Sequence, residues 1–189
     1  MKEFTTSSGK FIRIHDNLIE YAERVRLHTM AKEFSYAVAS DTNYLEDGPE
    51  LNFAKQLNDG DVQMLGLLQN PAVLEVLQPY SPMRMLNARI NLSTLSDTNK
   101  FHTDNPQLIY GTMHKQIVTV LYYLNMRWEM EWGGYTLFAN DACDELEFCC
   151  ANKAGRMVVF DGGIPHAIAA PTRQAESIRM TLAMQFGRE

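Results

Sequence analysis

His102 and Asp104 are separated by a single residue in the segment FHTDNP, which covers residues 101–106. In an extended chain, residues i and i+2 point to the same side, so one strand could offer both side chains to one metal ion. The leading candidate for a third ligand is His166, which follows the turn-forming segment FDGGIP. Two His and one carboxylate are a ligand set that binds Fe(II) and leaves coordination positions open.

Each of these residues alone has a more ordinary interpretation. A His-x-Asp pair before Asn-Pro is usually a surface turn, and a lone His at the start of a strand is usually structural. The metal site is favoured by the order in which the pair, the distal His166 and Arg179, which lies 13 residues after it, occur in the chain.

The segment SIRMTLAMQF, residues 177–186, alternates between the two faces of a strand. One face is continuously apolar and must be covered, which predicts that N-terminal helices pack against it. The other face carries Arg179 and Thr181. A buried Arg179 would be unfavourable without an anionic partner, so its burial would indicate a bound carboxylate. An exposed Arg179 would carry no such meaning, and the periodicity leaves both possibilities open.

The pattern of the chain changes near residue 83. Before it, Asp16 is a candidate N-cap for a helix in NLIEYAERVRLHTMAKEF, and Asn70 followed by Pro71 predicts the start of another helix. After it, short runs with a period of two predict strands in MLNARINL, QIVTVLYYL, GYTLF, ELEFC, GRMVVF, HAIAA and SIRMTLAMQF. We therefore expect one domain over residues 1–189, with a helical support region at 1–82 and a β core at 83–189.

Composition argues against several classes of protein. The net charge of -6 and the lack of a clustered Lys/Arg run argue against nucleic acid and anionic membrane as partners. No apolar run approaches the roughly 20 residues of a membrane span, and the N-terminus lacks the apolar segment of a signal peptide. The 3 cysteines are an odd number and lie close together, unlike a disulfide framework. These features predict a cytoplasmic protein.

Four segments, FHTDNP, VLYYLNMRWEMEWGG, GRMVVFDGGIPHAIAAP and RMTLAMQF, together resemble the Fe(II)- and 2-oxoglutarate-dependent dioxygenases, in particular the prolyl 4-hydroxylase-like group. The resemblance covers about residues 85–186, where several motifs match in order. It implies a mainly β fold with N-terminal helices, the double-stranded β-helix of jelly-roll or cupin-like type. It also implies Fe(II), 2-oxoglutarate and O2 as cofactors, with ascorbate as an optional addition.

The same resemblance implies roles for individual residues. His102, Asp104 and His166 would bind the iron and be catalytic. Arg179 would bind the distal carboxylate of 2-oxoglutarate through a bidentate contact, with Thr181 adding a hydroxyl.

Three further positions follow from the second of the four segments. Tyr123 matches a family tyrosine that helps to hold the co-substrate, although counting alone does not separate it from Tyr122. Gly133 and Gly134 would allow a tight turn into the next strand.

The sequence departs from the family pattern at two places. Relatives often carry a co-substrate tyrosine about ten residues before the first His, whereas this chain reads INLSTLSDTNKF there. That contact is therefore lost or replaced, with Asn91 as the candidate replacement. The interval between His166 and Arg179 is also long, because it contains PTRQAES, which leaves Arg173 as a rival anchor. Arg179 is preferred because it lies on a strand face and Arg173 in a polar loop.

The favoured interpretation is a hydroxylase that acts on an unactivated C–H bond and converts 2-oxoglutarate to succinate. Its substrate would be a prolyl or other amino-acid side chain in a protein, or a small metabolite. An alternative from another class is a non-catalytic jelly-roll module that binds a metal or ligand and tolerates the loss of Arg179. A zinc hydrolase with the same ligands is weaker, because no spare Glu or His is placed as an obvious general base.

Overall fold

The computed structural model of the chain describes residues 1–40, 51–95, 97, 100–104 and 116–188. Within these ranges the α-helices are α1 (Tyr21–Glu33), α2 (Asp59–Leu65) and α3 (Pro71–Leu77). The strands are β1 (Lys2–Thr5), β2 (Phe11–His15), β3 (Ala37–Ser40), β4 (Leu51–Gln56), β5 (Met83–Ser93), β6 (Gln116–Tyr123), β7 (Thr136–Ala139), β8 (Leu146–Cys150), β9 (Met157–Asp161), β10 (His166–Ile168) and β11 (Arg179–Arg188). In the described part of the chain, no helix has the length and apolar character needed to span a membrane.

Two antiparallel sheets form the body of the protein. The larger has eight strands in the order β1-β2-β9-β6-β11-β5-β4-β3, and the smaller has three in the order β10-β7-β8. Phe138 and Cys150 of the small sheet pack with Leu121 and Phe160 on one face of the large sheet. The helices cover its other face. This layered arrangement is the double-stranded β-helix that the sequence predicts.

The strand predictions after residue 83 are confirmed. Each of the seven period-two runs overlaps one strand, from β5 to β11. The predicted start of a helix at Asn70 is also confirmed, because the Asn70 side chain accepts a hydrogen bond from Ala72 N at 3.0 Å. Both signals depend on local geometry, which explains why they can be read from the sequence.

The segment before residue 83 is more mixed than the predicted helical support region. It contributes the strands β1 to β4 in addition to the three helices. The strand β2 reads FIRIH and pairs with β9, so this segment supplies strands at both ends of the large sheet. These strands have four to six residues each, too few for a period of two to stand out beside a long helical pattern.

Asp16 is not the N-cap that the sequence predicts. The helix α1 has Glu20 at its N-cap, without a side-chain hydrogen bond. The Asp16 carboxylate instead accepts from Arg156 Nε at 2.7 Å and Nη2 at 3.0 Å, and from Lys153 Nζ at 3.1 Å. The hydrogen bonds from Arg156 lower the pKa of Asp16 to about 2. A long-range ion pair therefore replaces the expected local cap.

The strand β11 lies between β5 and β6, and its two faces differ as predicted. Met180, Leu182 and Met184 are buried in the apolar core that includes residues of α1 to α3. On the other face, Arg179 is 0% exposed. The possibility that the sequence left open is thereby decided in favour of burial. Ile178 precedes the strand and is 50% exposed, so it does not extend the apolar face.

Candidate active site

The structure brings His102, Asp104 and His166 together at one end of the space between the two sheets. His102 N donates to His166 O at 3.1 Å, and His166 N donates to His102 O at 2.9 Å. Asp104 N donates to Gly162 O at 2.8 Å, in the turn before β10. One possible ligand atom from each of the three residues lies within 4.8 Å of the others. Residues 105 and 106 of FHTDNP lie outside the described residues.

Backbone carbonyls orient both imidazole rings. His102 Nδ1 lies 3.1 Å from Lys100 O, and His166 Nδ1 lies 2.9 Å from Ile164 O. Because a carbonyl oxygen only accepts, Nδ1 must carry the proton in each ring, which leaves Nε2 as a metal ligand. Burial lowers the pKa of His166 and so favours the neutral ring that a metal requires.

The Asp104 carboxylate is buried and receives a hydrogen bond on each oxygen. Thr119 Oγ1 donates to Asp104 Oδ2 at 2.5 Å, and Gln185 Nε2 donates to Asp104 Oδ1. Asp104 Oδ2 also lies 3.7 Å from His166 Nε2. Two donors from different strands fix the plane of this carboxylate, and a metal ion would meet it in one defined orientation.

Arg179 lies next to Thr136, a residue that lines the cavity around these ligands, and its guanidinium is only partly satisfied. Its Nε donates to Gly134 O at 2.8 Å and its Nη2 donates to Thr136 Oγ1 at 3.2 Å. Its Nη1 is buried without a hydrogen-bond partner among the described residues. Burial lowers the pKa of Arg179, because no fixed anion in the described part of the chain offsets the desolvation of the charge. A buried cation with an unused donor is suited to bind an anion.

Two more buried polar atoms lie beside Arg179. Thr181 follows it on the same face of β11, and Asn91 is directly opposite Thr181 on β5. Thr181 Oγ1 and Asn91 Oδ1 have no hydrogen-bond partner in the described ranges. Leaving such an atom unsatisfied costs about 1–3 kcal/mol. Because an amide can present either its oxygen or its nitrogen, these residues and Arg179 fit the carboxylate end of 2-oxoglutarate.

The structure also separates the rival candidates. Tyr123 OH hydrogen bonds with Thr136 Oγ1 at 2.7 Å, and its ring centroid lies 5.2 Å from the guanidinium carbon of Arg179. Tyr122 belongs instead to the core beneath the helices. Arg173 is exposed in the loop before β11. Tyr123 and Arg179 are therefore the members of each pair that hydrogen bond with Thr136, a residue of the cavity wall.

Sequence reasoning assigned no role to Gln185 or Thr119, although the strand positions of both contained a signal. Gln185 shares a face of β11 with Arg179, and Thr119 shares a face of β6 with Tyr123. Strand alternation could have included both among the cavity residues. Their shared partner, Asp104, could not be inferred, because it depends on how distant strands are packed.

Gly134 and Thr136 contact the guanidinium, and sequence reasoning did not assign either a part in the site. Gly134 has φ +68°, and a Cβ at this position would lie 3.0 Å from Arg179 Cδ and 3.1 Å from Trp128 Cζ2. The glycine is therefore required for the approach of Arg179 as well as for the turn. No sequence signal marked Thr136.

The space around the triad of His102, Asp104 and His166 is a cavity of about 50 Å³ with both polar and apolar walls. Its lining residues are Arg89, Asn91, Leu92, Ser93, His102, Asp104, Thr119, Leu121, Thr136, His166, Ile168, Ala183 and Gln185. Behind it, Phe160 packs edge-to-face on the His166 ring, with centroids 4.9 Å apart. The apolar side holds the imidazole ring in place and keeps water from reaching the ligands from behind.

Comparison with known structures reveals the same fold in iron oxygenases. A 2OG-Fe(II) oxygenase family oxidoreductase from Burkholderia pseudomallei is 11% identical with a TM-score of 0.70, covering 97% of this chain and 87% of that chain. A prolyl-4-hydroxylase from Pseudomonas putida is 17% identical with a TM-score of 0.66, covering 94% and 92%. HygX from Streptomyces hygroscopicus, with nickel and 2-oxoglutarate bound, is 12% identical with a TM-score of 0.67, covering 94% and 82%.

Comparison of the sequence with known proteins identifies the family to which the chain belongs. A search of curated protein sequences found no match. Residues 90–186, just over half of the chain, match the sequence profile of the 2OG-Fe(II) oxygenase superfamily. The matched region contains the three residues of the triad and Arg179. The chain therefore belongs to the 2OG-Fe(II) oxygenase superfamily and is a non-haem iron oxygenase that depends on 2-oxoglutarate.

Proposed function

We propose that this oxygenase hydroxylates an unactivated C–H bond while 2-oxoglutarate is decarboxylated to succinate. The observation that carries the proposal is Arg179, a fully buried cation with an unused donor at Nη1. It lies on the strand whose Gln185 holds the Asp104 carboxylate. A module that only binds metal would have no use for a buried arginine with an unused donor.

In the proposed enzyme, His102 and His166 hold Fe(II) through Nε2 and Asp104 holds it through a carboxylate oxygen. Three protein ligands leave positions for 2-oxoglutarate and O2. The iron, when bound with both, supplies the oxidising chemistry. The protein fixes the ligand geometry in advance, through the carbonyls of Lys100 and Ile164 and the side chains of Thr119 and Gln185.

Arg179 would bind the distal carboxylate of 2-oxoglutarate, with help from its neighbours. Its free Nη1 and the hydroxyl of Thr181 are donors that a carboxylate can accept from. Asn91 would contribute from the opposite strand, in place of the tyrosine found in relatives. Tyr123 lies against the guanidinium and would help to hold it in place.

The substrate belongs to one of two classes. Similarity to the prolyl-4-hydroxylase supports a prolyl or other amino-acid side chain. HygX has also been solved with hygromycin B bound, and similarity to it supports a small molecule. Both classes require the same iron and co-substrate geometry, so the reaction can be tested before the substrate is known.

An anaerobic titration of the wild-type protein with Fe(II) and 2-oxoglutarate tests the proposal by visible spectroscopy. We expect a weak charge-transfer band only when both are present, because the band requires 2-oxoglutarate to chelate the iron. The band should be lost in Asp104→Ala and in Arg179→Ala at a 2-oxoglutarate concentration that saturates the wild type. Arg173→Ala is the matched control, since Arg173 is exposed, and should keep the band.

A different result would favour the non-catalytic module. In that case the protein binds Fe(II) without any response to 2-oxoglutarate, and Arg179→Ala binds metal as the wild type does. An unchanged band in Asp104→Ala would show that Asp104 is not needed to hold the metal.

A further inference from the structure

Three amide side chains connect the protein surface to the buried Asp104 carboxylate. Gln56 is exposed on β4, and its Nε2 donates to Asn87 Oδ1 at 2.6 Å. Asn87 Nδ2 donates to Gln185 Oε1 at 3.1 Å. Gln185 is 9% exposed, and its Nε2 donates to Asp104 Oδ1. Hydrogen-bond donation therefore runs in one direction, from the surface amide to the buried carboxylate.

The two ends of this series of hydrogen bonds independently fix the direction in which the amides donate. At the surface end, Gln56 Nε2 also donates to Ala88 O at 3.0 Å, and a backbone carbonyl can only accept. At the buried end, an ionised Asp104 can only accept as well. Reversing any one amide would therefore place two acceptors or two donors against each other. The orientation of the Gln185 amide is determined by these partners.

Strand register places two of the three amides, Asn87 and Gln185, in contact. Asn87 is directly opposite Gln185 in the pairing of β5 with β11, and Thr119 is opposite Gln185 in the pairing of β6 with β11. The register of β5 against β11 shifts between Gln185 and Phe186. Such irregularities redirect side chains and are frequent next to active sites. The sheet thus brings both donors of the Asp104 carboxylate to adjacent positions.

We propose that Gln56, Asn87 and Gln185 form an amide relay that orients Asp104 for metal binding, with Gln185 as a positioning residue. The inference rests on the proposed role of Asp104 as an iron ligand. Thr119 holds one carboxylate oxygen and the relay holds the other, so each oxygen has one donor and the carboxylate cannot rotate. A residue on the surface of β4 thereby contributes to the geometry of the metal centre.

The variant Asn87→Asp tests the relay because it has almost the same shape but only acceptor atoms. The new carboxylate could still accept from Gln56, but it could not donate to Gln185 Oε1. The Gln185 amide would turn over to donate to this carboxylate and would present its oxygen to Asp104. A simple charge effect predicts the opposite sign, because an added negative charge near the site should strengthen cation binding.

Calorimetric titration with Co(II) alone, without 2-oxoglutarate or turnover, is the measurement. We expect about 10-fold weaker Co(II) binding in Asn87→Asp, in the range found when residues that orient a metal ligand are changed. Asn87→Leu cuts the relay without adding charge and should also bind Co(II) more weakly. If Asn87→Asp does not fold, Co(II) binding by Asn87→Leu is the test of the relay. Gln56→Leu removes only the outermost amide and should have a smaller effect than either.

Two outcomes separate the relay from the function it rests on. If the wild type does not bind Co(II), or if Asp104→Ala binds it equally well, the assignment of the metal site itself is wrong. If the wild type binds Co(II) through Asp104 but a folded Asn87→Asp binds it as tightly or more tightly, the metal site stands and the relay is overturned. Unchanged Co(II) binding in Asn87→Leu would overturn it in the same way.

Discussion

The cluster of metal-ligand candidates, called the metal end, and the neighbouring region around Arg179 differ in how their polar atoms are satisfied. At the metal end, the Nδ1 atoms of His102 and His166 and both oxygens of Asp104 have hydrogen-bond partners. At the proposed co-substrate end, Arg179 Nη1 and Thr181 Oγ1 are buried without partners among the described residues. In the proposed function, the metal end needs only an ion, whereas the co-substrate end needs an anion that accepts hydrogen bonds.

This difference indicates how each end is stabilised. The ligand geometry of the triad is built into the fold, because backbone carbonyls and neighbouring strands fix each side chain. The co-substrate end instead contains a desolvated cation and an unsatisfied hydroxyl, which both oppose folding until a ligand arrives. A ligand that binds only the native state raises its stability as the ligand concentration increases. We therefore expect 2-oxoglutarate to stabilise the metal-loaded protein strongly.

Among the variants that test this difference between the two regions, Arg179→Met should have the largest effect. Methionine has a similar length and no charge, and replacing a buried charge by an apolar side chain is often neutral or stabilising. We expect the melting temperature of the ligand-free protein to stay the same or rise. The KM for 2-oxoglutarate should rise about 100-fold, because charged hydrogen bonds contribute about 1.5–3 kcal/mol each. Thermal melts with and without 2-oxoglutarate, combined with succinate release, measure both quantities.

Arg179→Lys is the matched control for charge without the planar fork. It should keep a buried cation at position 179 but lose the bidentate contact. Its affinity for 2-oxoglutarate should therefore lie between those of the wild type and Arg179→Met. A large loss of ligand-free stability in Arg179→Met would contradict the comparison, because it would mean that the protein already satisfies the guanidinium.

The ion pair of Asp16 with Arg156 provides a third region in which charges are already matched. Its side chains are 26% and 11% exposed, and the pKa of Asp16 falls from 3.8 to about 2. A lowered carboxyl pKa stabilises the fold above the unfolded value and loses this contribution as pH falls through the folded value. At neutral pH the shift corresponds to about 2 kcal/mol. Asp16→Asn should lose about this much stability, and the metal site and the region around Arg179 should keep their structure.

Urea unfolding of wild type and Asp16→Asn between pH 7 and pH 2 checks this expectation. The difference in unfolding free energy should be constant near neutral pH and shrink below about pH 4. The KM for 2-oxoglutarate should not change. A difference that stays constant down to pH 2 would mean that the ionised Asp16 is not the source of the stabilisation.

The sequence predicts those parts of the site that follow from local geometry. His102 and Asp104 share a side because they are two residues apart, and Arg179 and Thr181 share a face for the same reason. The seven strands after residue 83 follow from the same alternation. Asn70 could be identified as an N-cap because its partner, Ala72, is only two residues away.

The parts that sequence reasoning missed depend on distant partners. Asp16 has the residue type of an N-cap, but its carboxylate accepts instead from Arg156, which is 140 residues away. Gln185 contacts Asp104 across 81 positions of sequence. Gly134 is recognisable as a turn residue, but only the packed structure places Arg179 against it. In each case the packing of strands determines the contact, and no local pattern records it.

Among the variants that test the difference between the two regions, Thr181→Val should have the smallest effect. Valine keeps the β-branched shape on β11 and removes only the hydroxyl, whose Oγ1 has no partner in the described part of the chain. The ligand-free protein should be as stable as the wild type or more stable by up to about 1 kcal/mol, since a buried unsatisfied group is removed. The affinity for 2-oxoglutarate should fall about fivefold, the equivalent of one hydrogen bond of about 1 kcal/mol. Thermal melts and 2-oxoglutarate titrations of the same preparation measure the two changes, and their opposite signs are the diagnostic feature. Lower ligand-free stability would mean that the hydroxyl stabilises the fold, and Thr181 would then belong with the satisfied residues of the metal end.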